Sequence, residues 1–138
     1  MTRPELSTAL RDGDLIHDQT TLRDAISRMG GEISNALAGQ SAVFLTIMQG
    51  GLIFAGQLAT GIDADLEFDY VHASRFRGTT EGGELQWMRR PATPLSGRIV
   101  LLVDDILDEG HTLKEIRDWC LQEGASRVLL AVLCEKRH

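Results

Sequence analysis

The stretch Val100-Leu101-Leu102-Val103-Asp104-Asp105-Ile106-Leu107-Asp108-Glu109-Gly110-His111-Thr112 runs from an unbroken apolar segment into four acids and then a glycine turn. Arg98 to Val103 reads as a strand buried on both faces, and strands of that kind belong to parallel sheets. Open parallel sheets bind ligands at the carboxyl edge of their strands, so a strand ending at Val103 delivers Asp104 and Asp105 to that edge. Adjacent carboxylates repel each other, and hydroxyl donors, a bound cation or solvent would offset the repulsion. Asp108 then opens a turn into a helix whose unpaired amides and positive dipole end suit a phosphate. Gly110 allows close backbone approach there, and Thr112 adds a hydroxyl donor. Each acid taken alone reads first as part of a solvated turn or as a helix cap. The joint pattern of strand, carboxylate pair and phosphate turn is what fits a sugar phosphate.

The flanking sequence repeats the strand and helix alternation. Upstream, Leu22, Ile26, Met29, Ile33 and Leu37 recur at intervals of three and four, one face of a helix starting near Thr20 or Thr21 and stopping at Gly39. Ala42 to Met48 is a second continuous apolar run, broken by Gln49-Gly50-Gly51, and Leu52 to Thr60 reads as a short helix closed by Gly61. Leu66, Phe68 and Tyr70 alternate with Glu67 and Asp69, the period of a strand with one wetter face, running on towards Ala73. Ser74 to Glu84 is rich in glycine and charge and lacks apolar periodicity, which predicts a long exposed loop, with Leu85 to Arg89 returning from it as a strand. Downstream, Thr112 to Gly124 predicts a helix and Arg127 to Leu133 another buried strand. The expected fold is α/β, a Rossmann-like parallel sheet with helices on both faces and a mobile flap loop.

With 138 residues, 43% of them hydrophobic, the chain is expected to form one domain over 1–138. A formal net charge of -6 gives no basic footprint, so nucleic acid is not an expected partner. No run approaches the roughly 18 apolar residues of a membrane span, and no signal-peptide core follows the first residues; a cytoplasmic location is the expectation. Cys120 and Cys134 lack metal or redox spacing and read as small core residues. Trp119, Phe44 and Phe54 read as packing residues, and Trp87 as a flap or interface residue.

The quoted run closely resembles the signature of type I phosphoribosyltransferases, in which two acids follow a hydrophobic strand and precede a phosphate loop. The layout from about Leu22 to Leu133 is similar to that family's core, and Ile47-Met48-Gln49-Gly50-Gly51 sits where the family has its pyrophosphate turn. The resemblance implies that Asp104 and Asp105 bind the ribose hydroxyls and the associated Mg2+. It implies that Asp108, Glu109, Gly110, His111 and Thr112 hold the 5-phosphate, and that Gln49, Gly50 and Arg75 contact pyrophosphate. Asp108 resembles the aspartate that 6-oxopurine members place near N7 of the base, which makes it the expected catalytic residue and points to the hypoxanthine-guanine type. A cis peptide between Met48 and Gln49 and a flap carrying Arg75 and Arg77 are further implications of the resemblance.

The implied activity is Mg2+-dependent transfer of a 5-phosphoribosyl group from phosphoribosyl pyrophosphate to hypoxanthine or guanine by a homo-oligomeric enzyme, a dimer or tetramer. Glu109 replaces a common threonine, Gln49 a common lysine, and Arg75-Phe76-Arg77 a common Ser-Tyr-Gly run. The chain is also expected to lack the family's C-terminal base-reading extension. Three rivals stand beside this reading. One is a regulatory or RNA-binding module of the same fold, and another is an enzyme for xanthine, adenine, uracil or orotate. The third is a flavodoxin-like or receiver-type domain, which would carry its acids on different strands.

Overall fold

In a computed structural model of the chain, which describes residues 19–48, 50–75, 85–108 and 111–136, the apolar runs form the middle of a five-stranded sheet. Helix α1 (Gln19–Leu37) precedes strand β1 (Ala42–Met48), helix α2 (Leu52–Ala59) and strand β2 (Leu66–Arg75). Strands β3 (Leu85–Arg89) and β4 (Ile99–Asp108), helix α3 (His111–Gln122) and strand β5 (Arg127–Lys136) complete the described elements. The strand order is β3-β2-β1-β4-β5, parallel throughout except for the antiparallel edge pair β2 and β3.

This order follows from the handedness of crossovers. The chain steps from β1 to β2 in one direction and from β4 to β5 in the other, so right-handed connections put their helices on opposite faces. One face buries Phe44, Leu101 and Val103 under α1 and α2, and the other buries Leu45, Leu102 and Val132 under α3. Between β1 and β4 the direction reverses, and at such a switch point the strand ends leave a crevice.

Two boundaries differ from the sequence reading. Strand β4 does not stop at Val103 but continues through Asp108, because β5 also extends, to Lys136, and supplies a ladder partner as far as the Asp108 and Lys136 pair. Likewise β2 reaches Arg75, where pairing with Leu85 of β3 keeps it extended, so the expected loop loses its first two residues to the sheet. Positions 76–84, where the flap was expected, lie outside the described residues.

Helices α1 and α2 meet at glycine. A Cβ on Gly30 would lie 2.7 Å from the Gly61 carbonyl oxygen, so this mid-helix glycine is required by close approach despite its low helix propensity. Ser34 of α1 ties the same junction by accepting the Asp63 amide at 2.8 Å. On the other face Trp87 of β3 packs on Trp119 of α3, ring centroids 5.0 Å apart, which makes Trp87 a packing residue. Cys120 is fully buried and unpaired; burial, reinforced by Glu123, pushes its thiol up to about 12. Phe44 and Phe54 are buried as expected. No described helix is long and apolar enough to cross a membrane.

A carboxylate fastens the long connection into β4. Asp69 of β2, with a side chain only 7% exposed, accepts the Thr93 amide at 2.8 Å and the Tyr70 amide at 2.7 Å, and lies 3.5 Å from the Arg89 guanidinium. Burial pushes this carboxyl up, but the Thr93 hydroxyl and amide, the Tyr70 amide and Arg89 outweigh it and hold the group below its ordinary value. A depressed folded-state value means that the stabilisation is complete above the ordinary aspartate range and is lost as pH falls through the folded value. Asp69→Asn is therefore expected to cost about 1–3 kcal/mol near neutrality, with the gap to the parent closing in acid. Urea unfolding of both chains across that range checks this; equal stability near neutrality would remove Asp69 from the account.

Candidate active site

The acids stand at the carboxyl edge because β1 and β4 run side by side only as far as the Thr46 and Val103 pair. Beyond it β1 turns through the glycines into α2, while β4 carries on beside β5. Gly51 is buried in this divergence. A Cβ there would lie 3.0 Å from the carbonyl oxygens of both Ile47 and Val103 and 3.2 Å from the Asp104 Cα. Its φ of -78° and ψ of -4° are open to any residue, so space and not backbone conformation demands glycine. The Gly51 amide donates to the Ile47 carbonyl at 3.1 Å and its carbonyl accepts the Ala55 amide at 2.8 Å, which joins the turn to the first turn of α2.

Gly50 lies against the acid pair itself. Its Cβ position is 2.7 Å from Asp105 Oδ1, so the missing side chain leaves the carboxylate resting on bare backbone. Thus the two halves of the crevice, glycine turn and acidic strand, are in contact although they are more than fifty positions apart in the chain. Asp104 and Asp105 are both half-buried, and Asp104 Oδ1 accepts the Asp105 amide at 2.8 Å.

Strand geometry corrects one expectation about the pair. Successive residues of β4 alternate between faces, Leu102 towards α3 and Val103 towards α1 and α2, so Asp104 and Asp105 leave the strand on opposite sides. Their mutual repulsion is relieved by this divergence, and no bridging cation is required to explain it. A ligand engaging both must lie across the end of the strand.

Asp108, expected to open the turn into the helix, is the last residue of β4, and α3 begins at His111, one position before the expected Thr112. Thr112, half-buried, lies in the first turn of α3. Gln49, Glu109 and Gly110 lie outside the described residues, as does the expected cis peptide at Met48 and Gln49; the side chains of Arg75, Asp108 and His111 are also outside the description. Arg75 ends β2 three positions past His72, the partner of Met48, so its backbone lies beyond the end of β1 on the same sheet edge as the acids. No cluster of three or more metal-ligating side chains occurs among the described residues. Mg2+ does not require one, since it keeps several waters and commonly takes one or two carboxylates together with substrate phosphates. Asp105, held beside the Gly50 backbone, fits that role.

The sequence reading named both Gly50 and Gly51 in the turn and placed only Gly50 among the contact residues. The paired glycines and the strand were both visible; their close approach was not.

A doubly wound α/β domain with a glycine turn pressed against strand-borne acids at its switch point belongs to the class that holds phosphorylated small molecules at a sheet edge. The phosphoribosyl transferase domain model matches residues 12–138, and the chain belongs to that family. It is 31% identical over 121 residues to the hypoxanthine-guanine phosphoribosyltransferase of Streptococcus pneumoniae, an alignment covering 87% of this chain and 66% of that relative. Among solved structures it is similar to a hypoxanthine phosphoribosyltransferase from Staphylococcus aureus, with a TM-score of 0.78 and 26% identity over 83% of this chain and 63% of that one. A hypoxanthine-guanine phosphoribosyltransferase from Bacillus anthracis shares the fold, with a TM-score of 0.80 at 21% identity, covering 88% and 70%. The chain thus spans just under two thirds of the length of the curated relative it matches.

The two glycines should respond differently to a methyl group. Gly51→Ala meets backbone oxygens that cannot step aside and is expected to lose about 1–3 kcal/mol of stability. Gly50→Ala displaces only a carboxylate tip and should lose less than about 1 kcal/mol. Denaturant unfolding of the two variants gives the comparison, and the reverse order would contradict the contacts described.

Proposed function

We propose that the protein transfers a 5-phosphoribosyl group from phosphoribosyl pyrophosphate to hypoxanthine or guanine in a Mg2+-dependent reaction, giving IMP or GMP and pyrophosphate. The observation that carries this is the contact of the Gly50 backbone with the Asp105 carboxylate. It supports this reading because it brings the turn assigned to pyrophosphate against the acids assigned to ribose, the two groups that the donor substrate joins. Family membership and the names of the relatives support the same choice of substrates.

In this reading Asp105 and Asp104 accept hydroxyl hydrogen bonds from the ribose lying across the end of β4. The Gly50 turn, with Gln49 and Arg75, receives the pyrophosphate. The segment from Asp108 through Glu109, Gly110 and His111 to Thr112 holds the 5-phosphate. N9 of the base attacks C1′, the bond from C1′ to pyrophosphate breaks with its electron pair on the leaving oxygen, and the Asp108 carboxylate accepts the proton from N7. Positioning two bound reactants at one sheet edge contributes most of the acceleration. Asp105 would hold Mg2+, which would supply positive charge to the pyrophosphate. Phosphoribosyl pyrophosphate and a purine base are the proposed partners, purine salvage in the cytoplasm the proposed setting, and a homo-oligomer the proposed form.

Titration of the chain with phosphoribosyl pyrophosphate and Mg2+, followed by product analysis with each base, tests the proposal. Saturable Mg2+-dependent binding is expected, weakened roughly tenfold or more in Asp105→Asn, the loss of about one charge-assisted hydrogen bond. Asp108→Asn should leave donor binding nearly intact and lower turnover on the order of 100-fold, the range of a single proton-transfer group. Absence of donor binding by the parent chain would refute the assignment, and equal turnover in Asp108→Asn would refute the role of that residue.

A further inference from the structure

At the end of the sheet opposite the candidate site, the starts of β1, β4 and β5 surround a cleft of about 420 Å³. Gln40, Ser41, Arg98, Ser126 and Arg127 supply its polar lining, and among the described residues no acid lines it. The seven residues of β1 separate it from the glycine turn, a strand length of roughly 20 Å. Backbone hydrogen bonds preform its rim. The Gly97 amide donates to the Gly124 carbonyl and the Ser126 amide to the Arg98 carbonyl, both at 2.8 Å, and the Gln40 amide donates to the Leu37 carbonyl at 2.9 Å. Gly97 holds a φ of 74°, a left-handed value that glycine adopts without strain. The two guanidiniums flank the strand starts, because alternation sends Arg98 to the α3 face with Val100 and Arg127 to the α1 face with Ile99. Arg98 Nη1 donates to Glu67 Oε1 and Arg127 Nη2 to the Ala36 carbonyl, each at 2.8 Å.

We propose that this cleft binds a phosphoryl anion of two or more charges at a site separate from the candidate active site. The inference goes beyond the transferase reading and does not depend on it. Charge selects the occupant. The chain as a whole carries a net charge of -6 and repels anions, so a cleft lined by two cations is a local exception. Each guanidinium has several N-H donors, and the bonds to Glu67 and Ala36 engage one nitrogen of each. The remaining donors keep the planar fork that matches phosphate oxygens. Glu67 is a weak competitor for Arg98, since its side chain is 54% exposed and an ion pair so open to water contributes little. The Ser41 and Ser126 hydroxyls add neutral donors beside the cations. Because the two arginines leave the sheet on opposite sides, an anion that engages both lies across the strand starts. Size points the same way. The volume falls in the range of small-molecule sites and exceeds what one orthophosphate fills, which suits a diphosphate or the phosphorylated end of a nucleotide.

Amide NMR titration with inorganic pyrophosphate decides the matter, in EDTA to remove Mg2+ and with ionic strength held constant by sodium chloride. The amides of Ser41, Gly97, Arg98 and Ser126 are expected to shift together to saturation. Arg127→Gln should weaken this binding about tenfold, the loss of one charge-assisted contact. Glu67→Gln removes the carboxylate that competes for Arg98 and should tighten it on the order of threefold, a change that a purely structural ion pair would not produce. Amide dispersion establishes that each variant is folded, and Arg98→Gln carries the expectation of Arg127→Gln if the latter unfolds. A parallel titration with a purine nucleoside monophosphate identifies the source of the phosphoryl group. Tighter binding than pyrophosphate assigns the cleft to a nucleotide, and weaker binding assigns it to a free diphosphate. Absence of shifts at the cleft overturns the proposal, and shifts confined to Gly50 and Gly51 do so while leaving the active-site reading in place. Shifts that sodium chloride alone reproduces overturn it as well, as does a folded Arg127→Gln chain that binds as tightly as the parent or a Glu67→Gln chain that binds more weakly.

Discussion

The space left by two missing side chains is the constraint on which the site depends. Gly51 fits between the Ile47 and Val103 carbonyls, and Gly50 lies under the Asp105 carboxylate. A side chain at Gly51 would push the end of β1 away from β4, and one at Gly50 would displace the Asp105 carboxylate from the turn. The sheet makes this closeness possible, because β1 and β4 are parallel neighbours at the position where the winding direction reverses. Packing on both faces then fixes the strand ends, since Val103 is buried under α1 and α2 and Leu102 under α3. The core holds rigid the backbone from which the acidic side chains project.

Much of this was legible in the residues and some was not, for identifiable reasons. Ala42 to Met48 and Ile99 to Val103 announce themselves because a strand buried on both faces has no polar alternation to interrupt it. Helix α1 was equally plain, with its apolar residues at intervals of three and four. The continuation of β4 through Asp104 to Asp108 was concealed because acids after an apolar run read as a turn. What keeps them extended is the ladder to β5, a partner more than twenty positions away. The same limit applies to Asp69, whose carboxylate binds the Thr93 amide 24 positions on. Local pattern predicts what a segment does alone, and these two features depend on distant segments.

The site was legible as an inventory and less so as an arrangement. Its residue types pointed to a phosphoribosyl ligand, and the family match agrees. The sequence reading took Asp104 and Asp105 as repelling neighbours beyond a strand that ended at Val103. On a strand they diverge by the period-two geometry of the backbone. The Asp104 carboxylate is then oriented locally by the Asp105 amide, while the Asp105 carboxylate is oriented by contact with the glycine turn. Two acids adjacent in sequence thereby occupy separate environments, which lowers the repulsion between them.

The long uncharged segment from Ile33 to Ile62 unites these observations. It contains the central strand, the glycine turn and the helix that follows, and for the first two neutrality is a consequence of burial and close contact. For the outer stripe of α2 no such cause is found among the described residues, where Ile53 is three-quarters exposed. Helix surfaces that face only water gain solubility from Lys and Glu and gain nothing from Leu and Ile. An apolar stripe retained on a helix that starts at the edge of the candidate site therefore ties the surface and the site to one element. The inner residues Phe54, Ala55 and Leu58 fix that helix to the sheet, and its first turn fixes the glycines to the acids. The crevice and the outer stripe are joined by a helix of only eight residues. So short a helix has little stability of its own and takes its position from what packs on either side.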